Sequence, residues 1–198
     1  MNGYVDIYKQ LLPKLASCDL KKQAENLGLE YKDNEIVIDF MGKNFTVDNN
    51  GVEPFDPKGN AQSPAIVIVY YVISPGVGEV SETFIARHHL SPMMVGMPYK
   101  PKTTENILKA VNGNYDRFAE IAESLNAQYR GLKKGGHMWV FSPLPKTPVA
   151  FTFIEADDEL PAELLITVPD NATDFLEYEC LDGLVDVIVE IIRNKAQK

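Results

Sequence analysis

Three consecutive runs of alternating residues between His137 and Pro169 constrain the fold more than any other part of the sequence. Side chains alternate across a β-strand, so each run predicts a strand with one strongly apolar face and one mixed face. The apolar faces would carry Trp139 and Phe141, then Val149, Phe151 and Phe153, then Leu164, Ile166 and Val168. We therefore predict an antiparallel meander that packs helices on its apolar face and leaves the mixed face partly open.

A second β-hairpin is predicted near the N-terminus. Glu35–Phe40 alternates in polarity, Met41–Asn44 has the composition of a turn, and Phe45–Val47 alternates again.

Apolar residues at helical spacing predict helices elsewhere in the chain. These are Tyr4–Leu15 with a kink or break at Pro13, Leu20–Asn26, Glu105–Val111, Tyr115–Ala127 and Leu181–Lys195.

The segment Ala65–Ile73 is ambiguous, because nearly all of its residues are apolar and periodicity cannot distinguish a helix from a strand. Its β-branched residues favour a strand. The preceding Ser63-Pro64 pair is typical of a helix start, and we predict a buried helix.

Val80–Lys102 has no regular pattern, and irregular segments of this length are often functional loops.

Composition limits the class of protein. A length of 198 residues predicts a single domain over residues 1–198. The predicted strands and helices put this domain in the α+β class, with a mainly antiparallel sheet. No apolar run approaches the roughly 20 residues that cross a bilayer, and the N-terminus lacks the pattern of a signal peptide. A soluble, cytoplasmic protein is expected. Cys18 and Cys180 are the only cysteines, and we expect them to be reduced, although a bridge between them stays open.

The net charge of −9 argues against two classes of partner. Nucleic-acid binding needs a basic stripe that displaces counterions from phosphates, and an anionic membrane surface needs the same. The basic residues here are scattered, and the one tight group is Arg130, Lys133 and Lys134. We therefore expect neither nucleic acid nor membrane as a partner, and a small-molecule ligand or a protein instead.

The run Asp157-Asp158-Glu159 is the most acidic part of the predicted meander, at the end of its second hairpin. With Glu163 it could hold a hard cation through oxygen ligands, or two of its carboxylates could act as an acid–base pair. The spacing is not that of an EF-hand loop. The alternative is a solvated hairpin tip whose charges keep a sheet edge soluble.

The three histidines do not form a recognisable metal motif. His88 and His89 are adjacent, so they should face opposite ways on a strand and diverge by about 100° on a helix. His137 could meet either of them in space. We retain Arg87, His88, His89 and His137, together with the acidic run, as candidate ligand-binding residues, and we assign no metal and no cofactor.

Other reactive patterns are weak. No G-x-S-x-G elbow is present, and Gly131–Gly136 lacks the spacing of a phosphate-binding loop, so we predict a flexible linker there. Met93, Met94 and Met97 could line an apolar pocket or a partner interface, or fill gaps in the core.

The chain resembles a family of small uncharacterised proteins, a domain of unknown function common in strictly anaerobic bacteria and methanogens. The resemblance rests on the segments Pro143-Leu144-Pro145-Lys146-Thr147-Pro148, Asp157–Ala162, Pro169-Asp170 and Leu176, and on the order of the Tyr70-Tyr71 segment and the Phe45–Gly51 hairpin. Leu160 stands where the family usually has Phe, and Val168-Pro169-Asp170 replaces a Phe-Asp pair. Some relatives carry an iron–sulfur segment, but this chain has no cysteine cluster, so no such cluster is carried over.

Three functional hypotheses follow from the sequence. The first is a non-enzymatic ligand-binding or accessory protein of anaerobic metabolism, because no catalytic set is recognisable and the Val80–Lys102 loop would lie beside an open sheet face. The second is a metal-dependent enzyme of hydrolase type that uses Asp157, Asp158, Glu159 and a histidine. The third is an assembly or interaction protein that works through the methionine-rich loop.

Overall fold

A computed structural model describes residues 3–56, 63–90 and 102–197. Over these residues the chain forms helices and two antiparallel sheets, which confirms the predicted α+β class. Its contacts divide it into two compact units. The first comprises Met1–Val80, Pro143–Thr147 and Asn171–Val187, and the second comprises Ser81–Ser142, Pro148–Asp170 and Ile188–Lys198.

The described helices are α1 (Gly3–Ala16), α2 (Leu20–Leu27), α3 (Pro64–Ile73), α4 (Lys102–Ala110), α5 (Tyr115–Ser124) and α6 (Tyr178–Ala196), with short 3₁₀ helices at Arg87–Leu90 and Ala172–Asp174. The prediction of a helix at Ala65–Ile73 is confirmed, with Pro64 in its first turn. Of the kink or break expected at Pro13, the break is wrong, since α1 continues to Ala16. The helix predicted to reach Ala127 ends at Ser124.

The four-stranded sheet of the first unit has the order β1-β2-β3-β4. Its strands are β1 (Glu30–Lys32), β2 (Glu35–Phe40), β3 (Lys43–Asp48) and β4 (Gly51–Glu53). The predicted hairpin is β2 and β3, paired with Ile36 opposite Val47 and Ile38 opposite Phe45. These four side chains are buried while their neighbours are more exposed, so one face of the hairpin forms core.

The five-stranded sheet of the second unit has the order β5-β9-β8-β7-β6. Its strands are β5 (Phe84–Ala86), β6 (Gln128–Lys133), β7 (Gly136–Phe141), β8 (Val149–Ile154) and β9 (Glu163–Pro169). The predicted three-stranded meander is β7, β8 and β9. Every residue of β8 except Ile154 is buried, so the middle strand is covered along its length.

The Gly131–Gly136 segment is not the flexible linker that the sequence predicts. Gln128–Lys133 forms the edge strand β6, and Lys134 and Gly135 make the turn into β7. Both turn residues have positive φ, 52° and 81°, as a two-residue hairpin turn of type I′ requires. The register of β6 shifts between Tyr129 and Leu132, where Gly131 also has positive φ.

Alternation places two different rows of side chains on the two faces of this sheet. His137, Phe153 and Leu164 are paired across β7, β8 and β9 and share one face. On that face the ring of Phe118 from α5 lies 5.4 Å from that of Phe153. Leu165 and Thr167 lie on the opposite face.

The described part of the segment predicted as a functional loop contains regular structure. Phe84–Ala86 pairs with β9, and Arg87–Leu90 forms the 3₁₀ helix that follows. Met93, Met94 and Met97 lie outside the described residues, so the predicted role of the methionines stays a prediction.

The core of the first unit contains a buried tyrosine whose hydroxyl joins three segments. Tyr71 is 0% exposed. Its hydroxyl donates to the Leu27 carbonyl at 3.3 Å and accepts from the Lys146 backbone N–H at 3.0 Å. Burial raises the pKa of Tyr71 well above its ordinary value, so the hydroxyl remains protonated and can donate.

Replacing Tyr71 with Phe tests this junction. The change keeps the ring but leaves a buried carbonyl and a partly buried N–H without this partner, so we expect the free energy of unfolding to fall by about 1–3 kcal/mol. Urea denaturation measures the loss. Tyr70→Phe is the matched control, because Tyr70 is the half-buried neighbour on the same helix and should change stability far less. Equal losses in the two variants would contradict the assignment.

Candidate functional site

A cavity of about 410 Å³ lies on the β5 side of the second unit's sheet. Its volume falls within the range of small-molecule sites, about 300–1,000 Å³. The lining residues are Phe84, Ile85, Ala86, His88, His89, Lys134, Leu165, Ile166 and Thr167. The cavity exists because β5 pairs with the end of β9 and the chain then turns into a 3₁₀ helix beside it.

The wall of this cavity is largely apolar, and its ionisable side chains are all bases. Phe84, Ala86 and Leu165 supply hydrocarbon, while Lys134 supplies an ammonium group from the β6–β7 turn. His88 and His89 add two imidazole rings, and no carboxylate lies among the described lining residues. The arrangement suits a compact apolar molecule that carries one anionic group.

His88 and His89 lie closer together than the sequence suggests. Their ring centroids are 4.2 Å apart in an edge-to-face arrangement, and both rings line the same cavity. Adjacent residues diverge in regular helices and strands, but here they lie in a single 3₁₀ turn that follows directly on β5. Arg87 belongs to the same turn and is half-buried, although it does not line this cavity.

His137 lies on the opposite face of the sheet, in a cluster of aromatic side chains. Its ring stacks on Tyr115 of α5 with centroids 3.9 Å apart. The hydroxyl of Tyr129 is 2.9 Å from Nδ1 of His137, and Oε1 of Glu155 is 3.2 Å from Nε2. Tyr129 also packs against Trp139, at 5.1 Å between centroids. The hypothesis that His137 meets His88 or His89 has no support from its contacts in the described chain.

These contacts determine which nitrogen of the neutral His137 ring carries the proton. A carboxylate can only accept a hydrogen bond, so Nε2 must donate to Glu155. Nδ1 is then the acceptor, and the Tyr129 hydroxyl donates to it. The order Glu155–His137–Tyr129 matches that of a carboxylate, an imidazole and a hydroxyl in nucleophilic triads.

Asp157, Asp158 and Glu159 are exposed and form a closed turn. Oδ1 of Asp157 accepts from the backbone N–H groups of Glu159 and Leu160, at 2.9 and 2.8 Å. These two hydrogen bonds hold the pKa of Asp157 below its ordinary value. Across residues 3–56, 63–90 and 102–197, no group of three or more His, Cys, Asp or Glu side chains is placed to hold a metal ion.

The two cysteines are free thiols and poor nucleophiles. Burial, together with the nearby Glu177 and Glu179, raises the pKa of Cys180 to about 12. Burial also raises the pKa of Cys18, whose thiol donates to the Lys14 carbonyl at 3.3 Å. Both therefore remain largely protonated near neutral pH.

Lys146, in the Pro143–Pro148 segment, holds a loop of the first unit. Its ammonium group donates to the carbonyls of Gly76 and Gly78, at 3.1 and 2.7 Å. It also lies 5.5 Å from the centroid of the Phe175 ring. The carbonyls and the ring satisfy the charge, so Lys146 has a structural role here.

Sequence reasoning identified His137 but missed Tyr115, Tyr129 and Glu155. The three residues join His137 only when β6 pairs with β7 and α5 covers the sheet. A sequence signal existed in Lys134-Gly135, which could form a two-residue turn between runs of six residues. Recognising that hairpin would have brought Tyr129 next to His137.

Comparison with known protein families gave a match over most of the chain. A protein-family model described as Domain of unknown function (DUF3786) matches residues 19–191. No curated protein and no solved structure gave a significant match. In the described parts of the chain, no helix has the length and apolar character needed to cross a membrane.

The closed turn at the acidic tip gives a test with an adjacent control. Asp157→Ala removes the acceptor of two backbone hydrogen bonds, so we expect a lower Tm than for Asp158→Ala, which removes an exposed charge from the same tip. Because folding lowers the pKa of Asp157, its contribution is present above the ordinary value of 3.8 and is lost as pH falls through the lowered one. The difference between the variants should therefore disappear in acid. Scanning calorimetry across pH measures it, and equal Tm values at neutral pH would refute the assignment.

Proposed function

The chain belongs to the family described as Domain of unknown function (DUF3786), and on this premise we propose that it is a ligand-binding or accessory protein whose site is the cavity beside β5 and β9. The single observation that carries the proposal is a cavity of about 410 Å³ with an apolar wall and a basic rim. Binding there requires no chemical step.

The rim indicates the kind of ligand. Lys134, His88 and His89 can each donate a hydrogen bond to an anion, and charge-assisted bonds are stronger than neutral ones. Strands β5 and β9 offer hydrocarbon to the rest of the molecule. We assign a small carboxylate with an aliphatic or aromatic body to this cavity.

The net charge of −9 does not oppose this choice. Charges are screened beyond about 8 Å at physiological ionic strength, so an anion inside the cavity responds mainly to the groups that line it. Those groups are one ammonium and two imidazoles.

The cellular setting is part of the same proposal. The sequence resemblance supports a role in anaerobic metabolism, which we propose takes place in the cytoplasm.

A pair of matched probes tests the site. Octanoate and octanol share a hydrocarbon chain and differ in the charged head group, so octanoate should bind more tightly in isothermal titration calorimetry. Lys134→Gln should weaken octanoate binding about 2- to 5-fold, the range expected for a partly exposed ion pair, and should leave octanol binding unchanged.

Lys133→Gln is the matched control, since Lys133 is exposed on β6 and does not line the cavity. Equal affinities for octanoate and octanol would contradict the proposed anion, as would equal effects of the two lysine variants. If neither probe binds, the cavity is not the site of an apolar ligand.

A further inference from the structure

We propose that Tyr129 is a reactive tyrosine, whose hydroxyl transfers its proton to His137 and attacks small acyl esters. The proposal goes beyond ligand binding and does not depend on it, since the cavity and His137 lie on opposite faces of the sheet. It rests on the hydrogen-bonded order Glu155–His137–Tyr129, with distances of 3.2 and 2.9 Å.

The imidazole has the orientation that a general base needs. Glu155 accepts from Nε2–H and stabilises the positive charge that forms when Nδ1 takes a proton. The Tyr129 hydroxyl is already 2.9 Å from Nδ1, within the distance at which a base removes a proton. Glu155 acts on the reaction only through His137, and it is therefore a positioning residue.

The ring of His137 is fixed by packing as well as by hydrogen bonds. Tyr115 stacks on it with an interplanar angle of 25°, and Tyr115 packs in turn against Phe153. Trp139 supports the ring of Tyr129. Tyr115 therefore restricts rotation of the His137 ring, and Trp139 restricts rotation of the Tyr129 ring. The hydroxyl and Nδ1 are thus held in place before any substrate arrives.

The hydroxyl is accessible from solvent. Tyr129 is 46% exposed and lies on the edge strand β6, while the side chain of His137 is 23% exposed. A buried hydrogen bond of this kind would be purely structural. An exposed hydroxyl beside a half-buried base can meet an electrophile.

The proposed step is an acyl transfer. The Tyr129 oxygen forms a bond to the carbonyl carbon of the ester as its proton moves to Nδ1 of His137. The tetrahedral adduct then collapses, the bond from that carbon to the leaving oxygen breaks, and the leaving group takes the proton from Nδ1 or departs as an anion. The products are an acyl-tyrosine and the free alcohol or phenol, and no oxidant or cofactor is needed.

The test uses the full-length protein and para-nitrophenyl acetate as the acyl donor. Mass spectrometry of proteolytic peptides follows acetylation of Tyr129, with N-acetyltyrosinamide in the same solution as the reference. The free amide is fully accessible, so exposure alone cannot make Tyr129 react faster than it. We expect Tyr129 to react at least about 10-fold faster, a conservative value for general-base assistance.

Variants then locate the base. His137→Phe keeps a ring against Tyr115 but removes both nitrogens, and it should reduce the acetylation rate of Tyr129 to that of the reference amide. Tyr129→Phe should abolish the modified peptide. Acetylation of Tyr31 on β1, which has no histidine partner in the described part of the chain, monitors folding and should not change.

The pH profile separates a general base from a structural histidine. The charged and titratable groups in hydrogen-bonding or stacking contact with the imidazole are Tyr129 of β6, Tyr115 of α5 and Glu155 beyond β8. The rate at Tyr129 should fall in acid as the imidazole is protonated. Glu155→Gln should slow acetylation of Tyr129, because the carboxylate stabilises the positive charge that forms on the imidazole during proton transfer.

The measured acetylation rates can overturn or support the proposal even if one of the variants fails to fold. A Tyr129 rate equal to that of the reference amide in the unmodified protein overturns it, even if His137→Phe fails to fold. An unchanged rate in folded His137→Phe also overturns it. Faster acetylation that falls in acid and is slowed by Glu155→Gln supports it.

Discussion

The alternation of side chains across β7, β8 and β9 is the constraint on which the second unit depends. In this register His137, Phe153 and Leu164 share one face, while Leu165 belongs to the other. A slip of one residue would exchange the two faces and bury the wrong set. The same register therefore determines which side chains form the core, where His137 lies among its aromatic neighbours, and which residues of β9 line the cavity. The two candidate sites are consequences of one pairing pattern on opposite faces of one sheet.

The segments that carry the family resemblance have structural roles wherever their contacts are described. Tyr71 and Lys146 tie the Pro143–Pro148 segment to α2 and to the loop at Gly76–Gly78. Asp157 closes its own turn. Losing one of these partners is costly, because it leaves a polar group of the other partner without its hydrogen bond. Hence the strongest sequence markers do not belong to either candidate site.

Much of the fold could be predicted from the sequence, because burial imposes periodicity. The meander, the β2–β3 hairpin, the helix at Leu20 and the long C-terminal helix all follow from the spacing of apolar residues. Strand β6 could not be predicted in this way. It lies at an edge, five of its six residues are exposed, and its register shifts near Gly131, so it has no alternating pattern. Strand β5 has three residues, too few for any period.

The missed strands explain why the sites were seen only in part. Without β6, His137 has no Tyr129, and without β5 the turn at His88 and His89 has no cavity beside it. Tyrosine and glutamate are common residues and carry no spacing signal, so a triad assembled from β6, β7 and the residue after β8 leaves no motif in the chain. The absence of a nucleophile motif in the sequence is therefore weak evidence against chemistry. The geometry at His137 is stronger evidence, because the acceptor-only carboxylate of Glu155 determines the tautomer and leaves Nδ1 free to act as a base toward a solvent-accessible hydroxyl.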